Sequence, residues 1–195
     1  MKQLIVCLLL TMTSFTCGAQ GITLAPSLGL AYLQNKIPPL SNSQVSPRQI
    51  QYATMYSLAL STKISNRFQT GLAFAYASAA LNRIYSVGTG STPINVIHFP
   101  MMEVFGKYFT GRIGSFLPYV RGGLGYAFNY PEKMGTSQIE TSGKSLTSLS
   151  IGTEGNPRGQ LSYFLEAGYW NRGVLVKGGL IINTSKLKNL SDPGS

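Results

Sequence analysis

Residues 22–32 read ITLAPSLGLAY and alternate between two kinds of side chain. The even positions are large and mostly apolar, whereas the odd positions are small or polar. A period of two predicts a β-strand with one bulky face and one cramped face. The same alternation recurs over residues 50–64 and again over residues 68–77.

The composition of the smaller face decides between two all-β folds. A soluble sandwich buries its large side chains between two sheets and turns polar side chains to water. Here the second face is Gly, Ala and Ser, which fits the narrow interior of a closed barrel of about eight strands. The bulky face must then meet a solvent that tolerates it, and lipid is such a solvent. The pattern predicts a closed antiparallel transmembrane β-barrel with up-and-down topology.

Further strands complete a set of eight, each long enough to cross a bilayer with tilt. The connections between them are alternately long and short, apart from an unusually tight final outer hairpin over 171–173, and this alternation is typical of outer-membrane barrels with external loops and periplasmic turns. Aromatic residues crowd the strand ends and predict interfacial girdles. The additional strands are expected over 97–109, 116–130, 145–153, 161–170 and 174–184. The long loops are expected over 35–49, 82–95 and 131–144. The expected girdle aromatics are Tyr32, Tyr52, Phe68, Tyr108, Phe116, Phe128, Tyr130 and Tyr169.

The first residues have the features of a secretory signal peptide. Lys2 provides a basic start, an apolar run follows, and small residues precede a predicted cleavage after Ala19. The apolar run is too short for a spanning helix, which needs about 20 residues. We therefore expect a leader over 1–19, a barrel over 20–184 and a polar tail over 185–195, in a protein exported to the outer membrane of a Gram-negative cell.

The net charge of +10 comes from 16 Lys and Arg against 6 Asp and Glu. Nucleic-acid binding is not expected, because the basic residues are scattered singly and the chain carries an export signal. Anionic lipid headgroups are the more suitable partner for such a surface.

Charged residues also occur inside the predicted strands. Placing Lys or Arg against lipid at the bilayer midplane costs about 2 to 4 kcal/mol, so these side chains are expected to point inward. Opposite charges in a tight lumen should pair, because an unpaired buried charge is costly. The predicted lumen network consists of Glu103, Lys107, Arg121, Glu166 and Lys177.

The sequence contains no clear set of catalytic or metal-binding residues. His98 is the single histidine, and neither Ser91 nor Ser115 is placed convincingly beside it. The single aspartate, Asp192, lies in the tail. Both cysteines, Cys7 and Cys17, lie in the predicted leader, so no cysteine metal site is expected in the mature protein. We expect no catalytic residues, no metal and no cofactor.

Several segments together resemble the small outer-membrane β-barrel, or porin-like, family that is common in Bacteroidota, of the eight-stranded type. These segments are the leader with its Ala-Gln junction and residues 98–109, 117–126 and 166–169. The resemblance implies a barrel fold and a membrane location, while the tasks of family members vary. One departure is the polar tail, because many such barrels end on an aromatic residue that assists insertion.

The expected function is a non-enzymatic, monomeric outer-membrane barrel with a filled polar lumen. Its external loops would bind an extracellular ligand or protein, or the barrel would be structural, because loops on a rigid scaffold are where binding residues gather. Two alternatives stay open. One is a lipid-modifying outer-membrane enzyme that uses His98, and the other is a secreted lipocalin-like barrel that holds a small apolar ligand.

Overall fold

The chain folds into one closed antiparallel barrel of eight strands, each paired with its neighbours in sequence, and β1 pairs with β8 to close the sheet. The computed structural model describes residues 21–37, 48–82, 95–134, 139–156, 160–170 and 173–184. The strands are β1 (Ile22–Ile37), β2 (Arg48–Lys63), β3 (Phe68–Asn82), β4 (Asn95–Phe109), β5 (Phe116–Met134), β6 (Ile139–Gly155), β7 (Leu161–Trp170) and β8 (Gly173–Asn183). Among the described residues, no helix is both long and apolar enough to span a bilayer.

The alternation in the sequence sets which side chains face outward. In β1, Leu28 and Leu30 are exposed, with 57% and 63% of their surface accessible, whereas Ala25 and Ala31 are buried. β7 and β8 show the same alternation of exposed and buried positions. The prediction of a closed barrel with bulky side chains outside and small ones inside is confirmed.

The β4 strand alternates in the same way, but its inward face also carries large apolar side chains. Phe99, Met101 and Phe105 are buried on the inward face together with Lys107. The register from Phe68↔Tyr108 to Leu81↔Asn95 aligns β4 with β3, and this pairing fixes its orientation. Three large apolar side chains therefore enter the lumen, where they fill space that Gly and Ala leave open on other strands.

Two of the loops are shorter in the structure than predicted. Much of the predicted loop 131–144 is strand, because β5 continues to Met134 and β6 begins at Ile139. Pro131 and its polar neighbours suggested a loop, but pairing with β6 satisfies the backbone, with register shifts after Ala127 and Pro131. The predicted loop 35–49 is likewise shortened at both ends, by β1 and by β2.

Several sequence predictions fall on parts of the chain that the structure does not describe. The predicted leader over 1–19 and the tail over 185–195 lie outside the described residues. The same holds for the connections 38–47, 83–94 and 135–138. The loop predicted over 82–95 has the expected bounds, because β3 ends at Asn82 and β4 begins at Asn95.

The small inward residues make a direct test of the packing. A Cβ added to Gly168, which faces the lumen, would overlap Ser150 Cβ and the carbonyl oxygen of Leu149. We expect Gly168→Val to lower the free energy of unfolding by about 1 to 3 kcal/mol, the usual cost of overpacking. The neighbouring outward residue Ala167 is exposed, so Ala167→Val is the control and should be close to neutral. Urea unfolding in lipid vesicles measures both; equal effects of the two substitutions would contradict the assigned faces.

Candidate functional site: the charged lumen

The lumen has a polar layer centred on the carboxylate of Glu166. Its Oε1 accepts hydrogen bonds from Lys177 Nζ at 3.0 Å, Ser150 Oγ at 2.8 Å and Arg121 Nη1 at 3.4 Å. Its Oε2 accepts a hydrogen bond from the hydroxyl of Tyr119 at 3.0 Å. These side chains come from the four consecutive strands β5 to β8, so the pairing of these strands assembles the layer.

Arg121 joins two carboxylates. Besides Glu166, its guanidinium pairs with Glu103, and Glu103 also accepts a hydrogen bond from Ser148. The guanidinium carbon lies 4.3 Å from the ring centroid of Phe105, close enough for a cation–π contact. Arg121 is 3% exposed, and its charge is compensated by two carboxylates and an aromatic face rather than by bulk water.

Lys107 lies in a second group, nearer the end of the barrel where β1 begins and β8 ends, which we call the inner end. Its Nζ pairs with Glu154 Oε1 at 3.0 Å and lies 4.4 Å from the ring centroid of Tyr119. Tyr119 therefore connects the two groups, because its ring contacts Lys107 while its hydroxyl donates to Glu166.

The structure brings together four of the five residues of the predicted network: Glu103, Arg121, Glu166 and Lys177. Lys107 has a different partner, Glu154, which was not predicted because it lies one residue beyond the predicted end of the sixth strand at Thr153. The available signal was the spacing: Glu154 continues the inward series of β6 that includes Ser148 and Ser150. Tyr119 was missed as well, and it too lies at an inward position of its strand.

Above the polar layer, toward the end with the long connections, the lumen is apolar. The ring of Phe99 stacks with Trp170 at 6.3 Å between centroids and meets Tyr130 edge-on at 5.5 Å. Tyr130 was expected in the outer aromatic girdle, and this prediction was wrong, because the bulge between Ala127 and Tyr130 turns its ring inward. The buried apolar cluster comprises Ala31, Ala53, Met55, Ala77, Ala79, Ile97, Phe99, Met101, Ala127, Tyr130, Leu146, Trp170 and Leu175.

A cavity of about 40 Å³ lies where the polar layer meets the apolar cluster. Glu103, Arg121 and Lys177 line it on one side, and Met101 and Trp170 line it on the other. A water molecule occupies about 30 Å³ in the liquid, so this space suits one or two waters and not an organic substrate.

His98 lies on the outer surface of the barrel. Its ring stacks on Tyr76 at 5.5 Å with the planes 17° apart. Ser91 is outside the described residues and Ser115 lies in a turn at the opposite end of the barrel, so neither is brought beside it. In the described part of the chain, no group of three or more His, Cys, Asp and Glu could hold a metal ion.

A closed antiparallel barrel of eight strands, bulky outside and filled within, is the architecture of the small outer-membrane β-barrels. Comparison with solved structures finds three such barrels. The N-terminal β-barrel domain of Pseudomonas aeruginosa OprF has a TM-score of 0.51 and 12% identity, over 85% of this chain and 99% of that one. Outer Membrane Protein W of E. coli has a TM-score of 0.43 and 11% identity, over 86% and 99%. Ail, the attachment invasion locus protein of Yersinia pestis, has a TM-score of 0.38 and 12% identity, over 84% and 95%.

The similarity to the OprF domain supports the fold and, at this identity, nothing finer. No protein-family model matches the chain, and no curated protein matches its sequence.

Breaking the lumen network should be costly. Arg121→Met leaves Glu103 and Glu166 without their shared cation, and we expect it to lower the unfolding free energy by about 3 to 5 kcal/mol. Trp170 is the single tryptophan and is buried in the lumen, so its fluorescence reports unfolding in urea.

A double-mutant cycle separates the charge interaction from lost packing. Glu103→Gln should cost clearly less in the Arg121→Met background than in the native protein, because its cation is already gone. Strictly additive effects would show that these two residues do not act as a pair. Ser115→Ala, at an exposed turn site, is the control and should stay within about 0.5 kcal/mol of the native protein.

Proposed function

We propose that this protein is an integral outer-membrane β-barrel whose outer wall faces lipid hydrocarbon. The observation that carries the proposal is a belt of exposed bulky side chains that runs around the barrel on all eight strands. Members of this belt include Leu30, Tyr56, Phe74, Val96, Leu124, Ile151, Leu165 and Val176.

Such a belt is unfavourable in water. Each square ångström of apolar surface left in water costs about 25 cal/mol, and soluble monomers rarely expose contiguous apolar patches larger than a few hundred Å². An apolar groove of about 520 Å³ on the outward face of β3, β4 and β5, lined by residues such as Phe74, Met102 and Leu124, extends the same surface. Hydrocarbon is the solvent that suits these side chains.

The orientation follows from the connections. Both ends of the described barrel lie at one end, together with the connections 64–67, 110–115 and 156–160. The opposite end has two long connections, 38–47 and 83–94, and two short ones, 135–138 and 171–172. In the proposed topology the end with the termini faces the periplasm and the end with the two long connections faces the outside, as in bacterial outer-membrane barrels. The signal peptide cleaved after Ala19 and membership of the porin-like family common in Bacteroidota are part of this proposal.

The proposed role is non-enzymatic, either structural or recognition through the outer connections. The support comes from the lumen, where the acids and bases bind one another and the remaining cavity is small. A monomer is proposed because closure of the sheet removes the lateral edges through which barrels and sheets otherwise associate. The partner of the outer connections would be an extracellular ligand or protein.

The two alternatives make different demands on the structure. A lipocalin-like barrel needs bulky side chains around an internal ligand cavity, but the bulky rows lie on the exterior. A lipid-modifying enzyme needs groups that activate His98. Glu103, Glu154 and Glu166 point into the lumen instead, and His98 stacks on Tyr76 at the outer surface. If His98→Ala abolishes a lipid-modifying activity in cells, the enzyme alternative is correct.

Cell fractionation tests the location. The protein should appear with the outer membrane, require detergent for extraction and migrate differently in gels before and after boiling, as folded barrels do. Protease added to intact cells should cut within the outer connections and leave the short turns intact. A protein released in soluble form without detergent would contradict the proposal.

A charged side chain placed on the outer wall tests directly whether this wall faces hydrocarbon or water. Leu165, at the middle of β7, is 58% exposed. If it faces hydrocarbon, Leu165→Arg should cost about 2 to 4 kcal/mol of unfolding free energy in lipid vesicles. Ile22→Arg, at the start of β1, is the matched control near the interface and should cost about 0 to 1 kcal/mol. If the outer wall faced water, the two arginines would be equally harmless.

A further inference from the structure

Two short turns at the inner end hold apolar side chains in exposed positions. Ile64 follows β2 and is 57% exposed, and Ile113 lies in the turn between β4 and β5 and is 69% exposed. Basic residues flank them: Lys63 and Arg67 in the first turn and Arg112 in the second. Each turn therefore presents an isoleucine beside one or two cations.

Hydrogen bonds fix the conformation of both turns. The backbone N–H of Ile64 donates to Phe68 O at 3.0 Å, and Ser65 Oγ accepts the N–H of Phe68 at 3.1 Å. In the second turn, Ile113 and Phe116 exchange two backbone hydrogen bonds of 2.9 and 3.0 Å. The exposure of the two isoleucines is thus a property of ordered turns.

The two turns are neighbours. The N–H of Phe109, at the end of β4, donates to the carbonyl oxygen of Arg67 at 2.9 Å. Arg112 is held by a hydrogen bond from its Nε to Gly114 O at 2.7 Å, and Gly114 adopts the positive φ of 59° that this tight turn requires. The cations and the isoleucines therefore form one surface, which we call the inner-turn patch: Lys63, Ile64, Arg67, Arg112 and Ile113.

The printed ion pairs of the lumen are balanced in charge. Among the described residues they join three basic side chains, Lys107, Arg121 and Lys177, to three acidic ones, Glu103, Glu154 and Glu166. The excess of +10 in the sequence therefore lies on other residues, Lys2 of the predicted leader among them. Neither turn sequence, KISNRF at 63–68 or FTGRIGSF at 109–116, contains an acidic residue.

The position of the patch relative to the aromatic side chains sets its depth. Phe68, Tyr108 and Phe116 are exposed on the outer wall next to these turns, and aromatic girdles mark the interface of membrane barrels. The inner-turn patch lies just beyond this girdle, at the level of lipid headgroups. There, apolar side chains reach the acyl boundary while cations meet phosphate.

From these observations we infer that the inner-turn patch binds anionic phospholipid headgroups of the periplasmic leaflet. The three cations would contact the lipid phosphates, and Ile64 and Ile113 would insert between the headgroups. A hydrated acidic polymer such as cell-wall glycan offers nothing to the two isoleucines, which favours lipid. The inference rests on the proposed function, because the barrel must be inserted for the patch to reach the leaflet.

Binding of phosphatidylglycerol to the full folded chain, in micelles of a zwitterionic detergent, tests the inference. One basic residue near an anionic surface contributes about fivefold in affinity, so K63Q/R67Q/R112Q should bind the lipid about a hundredfold more weakly than the native protein. The control K36Q/R48Q/K133Q removes the same charge from strand positions at the other end and should retain native affinity. Equal loss in both triple variants would show a nonspecific charge effect and overturn the inference.

Further arms identify the source of the phosphate. I64S/I113S should weaken phosphatidylglycerol binding and leave the response to inorganic phosphate unchanged. If inorganic phosphate binds as tightly as the lipid, the patch is a free-anion site. If the variant K63Q/R67Q/R112Q loses binding to cell-wall glycan while its lipid affinity is unchanged, the patch is a polymer site. Either result overturns the inference.

Reconstitution into vesicles separates the two proposals. A chain that enters neither phosphatidylcholine vesicles nor vesicles that also contain phosphatidylglycerol overturns both of them. The lipid inference alone is overturned if the chain inserts into both kinds of vesicle and the native protein shows no preference for phosphatidylglycerol. A preference that the variant K63Q/R67Q/R112Q retains in full has the same meaning.

Discussion

The ladder between β1 and β8 joins the two ends of the sheet, from Thr23↔Asn183 to Leu33↔Gly173. A sheet closed in this way gives every strand two partners along the wall, so the backbone polar groups there need no water. Only because of this closure can the outer wall consist of Leu, Ile, Tyr and Phe. Without it, the same apolar belt would border two open edges of unsatisfied N–H and C=O groups.

Closure also limits the space inside. Eight strands leave a lumen that side chains just fill, so each large inward residue has to be matched by a small one. Phe105 occupies the space beside Gly71, and Tyr119 lies against Gly152. A narrow interior with little water also requires each charged side chain to lie beside an opposite charge, because an unpaired buried charge is costly. The balanced ion pairs of the lumen are thus a consequence of the barrel geometry.

The apolar belt and the charged lumen were predictable because strand alternation is local. Residues 22–32 show their two faces without reference to any other strand, and Arg121, Glu166 and Lys177 could be assigned to the interior from their parity. The pairing of Lys107 with Glu154 was not predictable in this way. It depends on where β6 ends and on the register that brings β4, β5 and β6 together, and both are long-range properties.

The number of strands, their alternation and the faces of most side chains could be predicted from the sequence, because the period of two is visible in neighbouring residues. Tertiary structure alone decided the extended β5–β6 hairpin over a stretch rich in polar residues, the inward turn of Tyr130 at a bulge, and the central position of Glu166 among Arg121, Lys177 and Tyr119. The hairpin and the bulge depend on the register that β5 adopts against β6. Arg121 and Tyr119 lie 45 and 47 residues from Glu166 in the chain, so they meet it only once β5, β6 and β7 are aligned in the sheet.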